Sequence, residues 1–272
     1  MMVEPVLNSR LTRERLTQLM FEQFNVSSYF TTDAAVASLY AIGKSSGIVV
    51  NMGHEKIDIA PVLEGCMHPS AATRIPVGGK HMTEILKHVL AETRGIELEF
   101  EDVEKMKRSM CGNVTGNNEN VYRLPDGEEI DISGAMEQMR QRVLEPYRLG
   151  IDSPDIAEAC IHAGIVTTLH GDRESRKALM GNIFVCGGSS GIPHLSEELL
   201  QGIASSSHAS LPPSLCQVPE YMPAHTAAEA SWFGGAVIGN CISQVNAQMG
   251  QQSVTKHEYH EYGPNAIHRH CC

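Results

Sequence analysis

An α/β fold is predicted, because helix-type and strand-type apolar patterns alternate along the chain with short polar connections. Two brief apolar runs, Gly47-Ile-Val-Val-Asn51 and Asn182-Ile-Phe-Val-Cys186, read as strands covered on both faces. Amphipathic stretches separate them. The clearest places Met82, Ile85, Leu86, Val89 and Leu90 at helical spacing.

Taken in order, residues 13–24 put Leu16, Leu19, Met20 and Phe24 on one helical face, and residues 34–41 form a short helix of small residues. Gly43-Lys44-Ser45 is a turn rather than a phosphate loop, since the first glycine that such a loop needs falls at Ser38. The strand at 47–51 returns through Gly53-His54 into residues 56–63, where Ile57, Ile59 and Val62 are apolar, so a hairpin is expected. A helix at 82–93, a charged helix at 102–110 and a polar loop at 113–120 follow. Residues 121–124 read as a strand leading into a turn at Asp126-Gly127. Ser153-Pro154 offers a capping hydroxyl and a proline suited to the first helical position. Met136 and Met139 lie three apart and read as core filler. The strand at 182–186 runs into Gly187-Gly188-Ser189-Ser190-Gly191, and neither a repeat nor a low-complexity linker is visible.

Composition narrows the function. Apolar residues make up 42% of the 272 and charged residues 19%, which suits a globular protein of one large domain or two. A formal charge of −11 repels a phosphate backbone, so no direct nucleic-acid partner is expected. No apolar run approaches the ~20 residues of a membrane span, and residues 1–10 lack a signal-peptide layout. An intracellular chain with no membrane partner is the expectation. The eight cysteines include no CxxC pair, so no metal is expected. His257-Glu-Tyr-His260 spaces its histidines three apart, unlike the zinc-protease motif, and reads as an exposed tail segment.

The tail carries the most specific signal. Glu258-Tyr259, Gly263-Pro264, Ile267, His268-Arg269 and Cys271 resemble the carboxyl terminus of actin in identity and spacing. For that reason His268, His270, Cys271 and Cys272 are read as family tail rather than as a soft-metal or lipidation site. The resemblance continues through Arg13-Glu14, Thr17-Gln18, Met20-Phe21-Glu22, Ser38-Leu-Tyr-Ala41, Leu124-Pro-Asp-Gly127, Gly187-Gly188 and Trp232-Phe-Gly-Gly235. Lys56-Ile-Asp-Ile-Ala-Pro-Val-Leu-Glu-Gly65 is similar to the plant nuclear actin-related proteins of chromatin-remodelling complexes. So are Phe24-Asn-Val-Ser27 and Pro219-Glu-Tyr-Met-Pro223. The chain is identified as a member of the actin-related family, most like that nuclear branch.

The resemblance implies an actin-like fold of the ribonuclease H type, shared with heat-shock chaperones and sugar kinases. The first phosphate loop and the outer subdomain of the first lobe are expected to be missing. Residues 1–41 and 228–272 would be the remnant of the first inner subdomain, 42–77 and 151–227 the second inner subdomain, and 78–150 its outer partner. Without the leading strands, Leu16, Leu19, Phe24, Phe233, Val237 and Ile238 are expected to lose burial, and an open sheet edge is expected near Ser28–Thr31. A partner would supply the cover, or the region would be loose, or the sequence is an incomplete gene product.

For the site, the resemblance puts Asn51, Gly53, His54 and Glu55 at the second phosphate loop, where actin has acidic groups and glycines. It puts Asp58 and Ala34 at the positions that orient the attacking water. Carboxylates for Mg²⁺ are lost at Asn51 and His54, and Glu55 crowds a position where backbone meets phosphate. No catalytic residue and no hydrolysis are therefore expected. Gly53, Lys107, Gly187, Gly188, Ser189 and Ser190 remain as a residual nucleotide site for ATP or ADP, although Arg108 and Ala228 replace adenosine-side residues. The expected function is a non-catalytic scaffold subunit in the nucleus and cytoplasm, in a chromatin-remodelling complex. Its expected partners are the remodelling ATPase and other actin-family subunits. The alternative is a cytoskeletal actin-like protein, either an adaptor or a polymerising ATPase represented by an incomplete chain.

Overall fold

In chain order the first half comprises β1 (Met2–Glu4), α1 (Arg10–Glu22), β2 (Ser28–Tyr29), β3 (Thr31–Asp33), α2 (Ala34–Ala41), β4 (Gly47–Met52), β5 (Ile57–Leu63), β6 (Cys66–Met67), β7 (Thr73–Ile75), α3 (Gly79–Arg94) and α4 (Phe100–Met110). The second half comprises β8 (Val121–Arg123), β9 (Glu129–Asp131), α5 (Ser133–Leu144), α6 (Ile156–Thr167), α7 (Arg173–Met180), β10 (Ile183–Cys186), α8 (Leu195–Ser205), α9 (Ala230–Gln248), β11 (Val254–Thr255), α10 (Lys256–Tyr262) and α11 (Ile267–His270). This computed structural model describes residues 1–111, 121–123, 127, 129–168, 172–206, 211–248 and 253–270. The loop expected at 113–120, Leu124, Pro125 and Asp126 of the turn, the His270 side chain, Cys271 and Cys272 lie outside the described residues.

The central sheet has the order β10-β4-β5-β6, with β7 also on β5. β10 and β4 are parallel, and β4 and β5 form the hairpin expected around Gly53. Strand alternation separates two cores. Ile48, Val50, Met52, Ile57 and Ile59 face a layer that includes α3, α5 and α6, whereas Val49, Ala60, Val62, Phe184 and Cys186 face α2 and α9. Both faces are thus covered, which is why these strands read as nearly continuous apolar runs.

Small residues set the spacing on the second face. The surface of α2 carries Ala34, Ala35, Ala37, Ser38 and Ala41, and α9 crosses it at Gly234. A Cβ on Gly234 would stand 1.6 Å from the Ala37 carbonyl oxygen, so only glycine permits this approach. A third cluster of Phe21, Tyr29, Val254, Tyr259 and Ile267 joins α1 to the tail.

Several expectations require correction. Near Ser28–Thr31 the strands are paired on one side only among the described residues: β1 runs parallel to β3 and β11 antiparallel to β2, in two separate two-stranded sheets. Residues 2–4 form a strand because a β-branched Val3 packs against α9, where a Cβ on Gly235 would come within 2.8 Å of Val3 Cγ2. Helix α1 begins at Arg10, with Ser9 Oγ accepting from the Thr12 amide at 3.0 Å. Its buried face is Thr17 and Phe21, while Leu19 and Phe24 are exposed. In the tail segment at 257–260, His257 and His260 are exposed as expected, but Tyr259 is buried: it stacks on Phe21 at 4.6 Å and donates to Glu22 at 2.7 Å. Ile238 is buried and Phe233 half-buried despite the expected loss of cover, whereas Val237 is exposed. Helix α6 starts at Ile156 with Asp155 as cap, two residues beyond Ser153. Met136 and Met139 are core residues as expected.

Candidate functional site

One register row across the central sheet defines the site. Cys186, Asn51, Asp58 and Arg74 are successive partners on β10, β4, β5 and β7. Asp58 is buried, and a carboxylate there needs a counter-charge. Arg74 supplies it with two bonds, Nε to Oδ1 at 2.6 Å and Nη2 to Oδ2 at 3.3 Å. Lys56 Nζ lies 3.3 Å from Oδ2 on the other side. Arg74 Nη2 also donates to the Val6 carbonyl, which ties the segment after β1 to the central sheet. The water-orienting position implied by the resemblance thus holds a carboxylate engaged by two cations.

The residues expected to touch a nucleotide partly converge. The hairpin carbonyls of Gly53 and His54 accept from the Gly79 and Lys80 amides at 2.9 and 2.7 Å. These are the first amides of α3, so the hairpin itself uses the helix end that would otherwise attract an anion. A Cβ on Gly78 would sit 2.6 Å from the His54 carbonyl oxygen, and one on Gly187 would sit 2.5 Å from Asn51 Oδ1. The Ser189 amide donates to the Met52 carbonyl at 3.2 Å, and the Ser190 hydroxyl to the Gly187 carbonyl at 2.8 Å. Gly188 is exposed with open space around it.

Lys107 is buried, and its three ammonium donors reach the Gly79 carbonyl at 2.6 Å, Thr83 Oγ1 at 2.8 Å and Glu104 Oε2 at 2.8 Å. Its bonding capacity is met inside the protein. Burial works against ionisation of Glu104, yet bonds from Lys107, Thr83 and Arg108 outweigh it and hold the carboxyl down to about 2. Sequence reasoning missed Gly78, Gly79, Thr83, Glu104 and Arg74. The Gly-Gly pair ahead of a helical pattern and the three-residue spacing of Glu104 and Lys107 were available signals, whereas nothing local marks Arg74.

Beside this row a cleft of about 780 Å³ opens between β1, the sheet and α9, lined by Met1, Glu4, Asn51, Lys56, Asp58 and Trp232 among others. Glu4 and Asp33 are direct partners on β1 and β3, and both are buried. Arg13 serves both, at 2.7 Å from Glu4 and 4.0 Å from Asp33. Burial is the main cause that raises the Asp33 carboxyl to about 6; attraction to Arg13 opposes this and repulsion by Glu4 adds to it. A carboxyl raised in the folded state stabilises fully below its ordinary 3.8, and that contribution is lost as pH rises through about 6. Asp33→Asn is therefore expected to raise the thermal midpoint at pH 8 and to change it little at pH 4. A fall at both pH values would contradict this reading.

Comparison with known proteins places the chain. The family model described as Actin matches residues 1–111 and 97–272. The chain belongs to the actin family, and its mixed α/β fold is actin-like. It is similar to Actin-related protein 7 of Arabidopsis thaliana, 34% identical over 278 residues, which cover 98% of this chain and 74% of the relative. Actin-related protein 7 of Oryza sativa subsp. indica is 33% identical over 98% of this chain and 75% of its own length. Putative actin-29 of Dictyostelium discoideum is 28% identical over 97% and 70%.

Proposed function

We propose that this actin-related protein is a non-catalytic scaffold subunit of a larger assembly. The observation that carries the reading is Asp58 held between Arg74 and Lys56, with Lys107 saturated by internal acceptors. Asp58 is thereby withheld from an attacking water as a base, and Lys56 and Lys107 are withheld from a phosphate. Gly53, Gly187, Gly188, Ser189 and Ser190 leave room at most for residual ATP or ADP binding.

The assembly we infer is a nuclear chromatin-remodelling complex, with the chain present in nucleus and cytoplasm. Support comes from the likeness of residues 56–65 to plant nuclear actin-related proteins. Its partners would be the remodelling ATPase and other actin-family subunits. Exposed Leu11, Leu19, Phe24, Trp232 and Val237 around α1 and α9 offer them apolar surface. A cytoskeletal role is the second reading, favoured by the actin-like tail and by the relative named putative actin-29.

Millimolar Mg-ATP is expected to leave the thermal midpoint unchanged and to release no phosphate above a protein-free control. A saturable rise in the midpoint accompanied by phosphate release would overturn the non-catalytic assignment.

A further inference from the structure

The cleft beside β1 has an electrostatic character of its own. Glu4 Oε2 accepts from Arg13 Nε at 2.7 Å and Asn8 Nδ2 at 3.2 Å, but Glu4 Oε1 is buried with no hydrogen-bond partner. Leaving a buried carboxylate oxygen unmatched is costly. Arg13 cannot make up the deficit alone, since it also faces Asp33. The cations nearest the floor, Lys56 and Arg74, are both committed to Asp58. The floor therefore offers an acceptor, and the side-chain cations Arg13, Lys56 and Arg74 beside it are already paired.

The walls are of the opposite kind. Met1 is 48% and Trp232 66% exposed, and Val3, packed on α9 at Gly235, also lines the cleft. Such a cleft suits a group with an apolar body and a donating, positively charged end. Resting on the scaffold reading, we propose that this cleft receives a basic, apolar segment of a partner protein, with an arginine or lysine directed at Glu4 and aliphatic side chains against Met1, Val3 and Trp232. The net charge of −11 favours the approach of such a segment.

Trp232 is the single tryptophan, so its emission reports on this cleft directly. The purified full chain would be titrated with the acetylated peptide Ser-Leu-Ala-Arg-Leu-Ala-Ser and with its Glu-for-Arg counterpart. A saturable change is expected with the first peptide, and binding about tenfold weaker with the second. Glu4→Gln is expected to erase that preference. Ala236→Arg, at an exposed position on the cleft wall, is expected to block binding without altering the fold, and decides the matter if the Glu4 variant is unstable. Three results would overturn the proposal: no saturable response, equal binding of the two peptides, or unchanged binding to the Ala236 variant. Self-association that depends on concentration and ignores the peptide would assign the cleft to a second copy and overturn it as well. Because the titration uses the isolated chain, its outcome is independent of whether a complex forms in cells.

Discussion

Gly234→Val is expected to separate α9 from α2 and to leave no cooperatively folded protein at 37 °C. Even a methyl group at this position would stand 1.6 Å from the Ala37 carbonyl oxygen, well inside van der Waals contact, and the obstacle is backbone that cannot rotate away. The helices must therefore part. Parting them uncovers Ala37, Leu39, Val49 and Phe184, the core on that face of the sheet. Overpacking usually costs about 1–3 kcal/mol where neighbours can shift. Here the whole contact is lost, which approaches the ~5–15 kcal/mol that holds a domain together. Circular dichroism melting of the variant checks this, and a parent-like transition would contradict the packing described.

Arg74→Met is expected to cost about 2–3 kcal/mol. Removing one member of a fully buried ion pair costs about 3–5 kcal/mol. Two features lower the figure: the Arg74 side chain is 35% exposed, and Lys56 remains beside Asp58. The loss is distributed in a recognisable way, because Arg74 also holds the Val6 carbonyl. Amide exchange around residues 2–8 should accelerate more than exchange in β4 and β10. The double variant Arg74→Met with Asp58→Leu should recover most of the loss, since the stranded charge goes with it. Equal destabilisation by the single and double variants would show that the pair does not act as a unit.

Much of this was readable from residue patterns, and what was not has a physical reason. Strands β4, β5 and β10 were legible because both of their faces are covered, which favours apolar residues at nearly every position, Asn51 and Asp58 being the exceptions. Helix α2 was legible from its small residues. The buried face of α1 was not, because Leu16, Leu19 and Phe24 form the more apolar stripe while Thr17 and Phe21 are the residues that face the tail. That choice is made by Tyr259, more than two hundred residues away. The pairing of β1 with β3 was missed for a related reason: three residues are too few for periodicity to register. At the site, the glycines and Lys107 stood out individually. Their actual bonding depends on Gly78, Gly79 and Glu104, and the fate of Asp58 depends on Arg74 in the adjacent strand. The packing of α4 on α3 decides the first set of contacts and the pairing of β7 with β5 decides the second, and both join residues distant in sequence.

The central claim is that this chain works as a scaffold in an assembly. Its most direct test is the native mass and composition of the protein tagged at its amino terminus and purified gently from its own cells. The account predicts a stoichiometric high-mass complex that contains a remodelling ATPase and other actin-family subunits. Elution as a lone monomer, or as a self-polymer that forms with ATP, would contradict it.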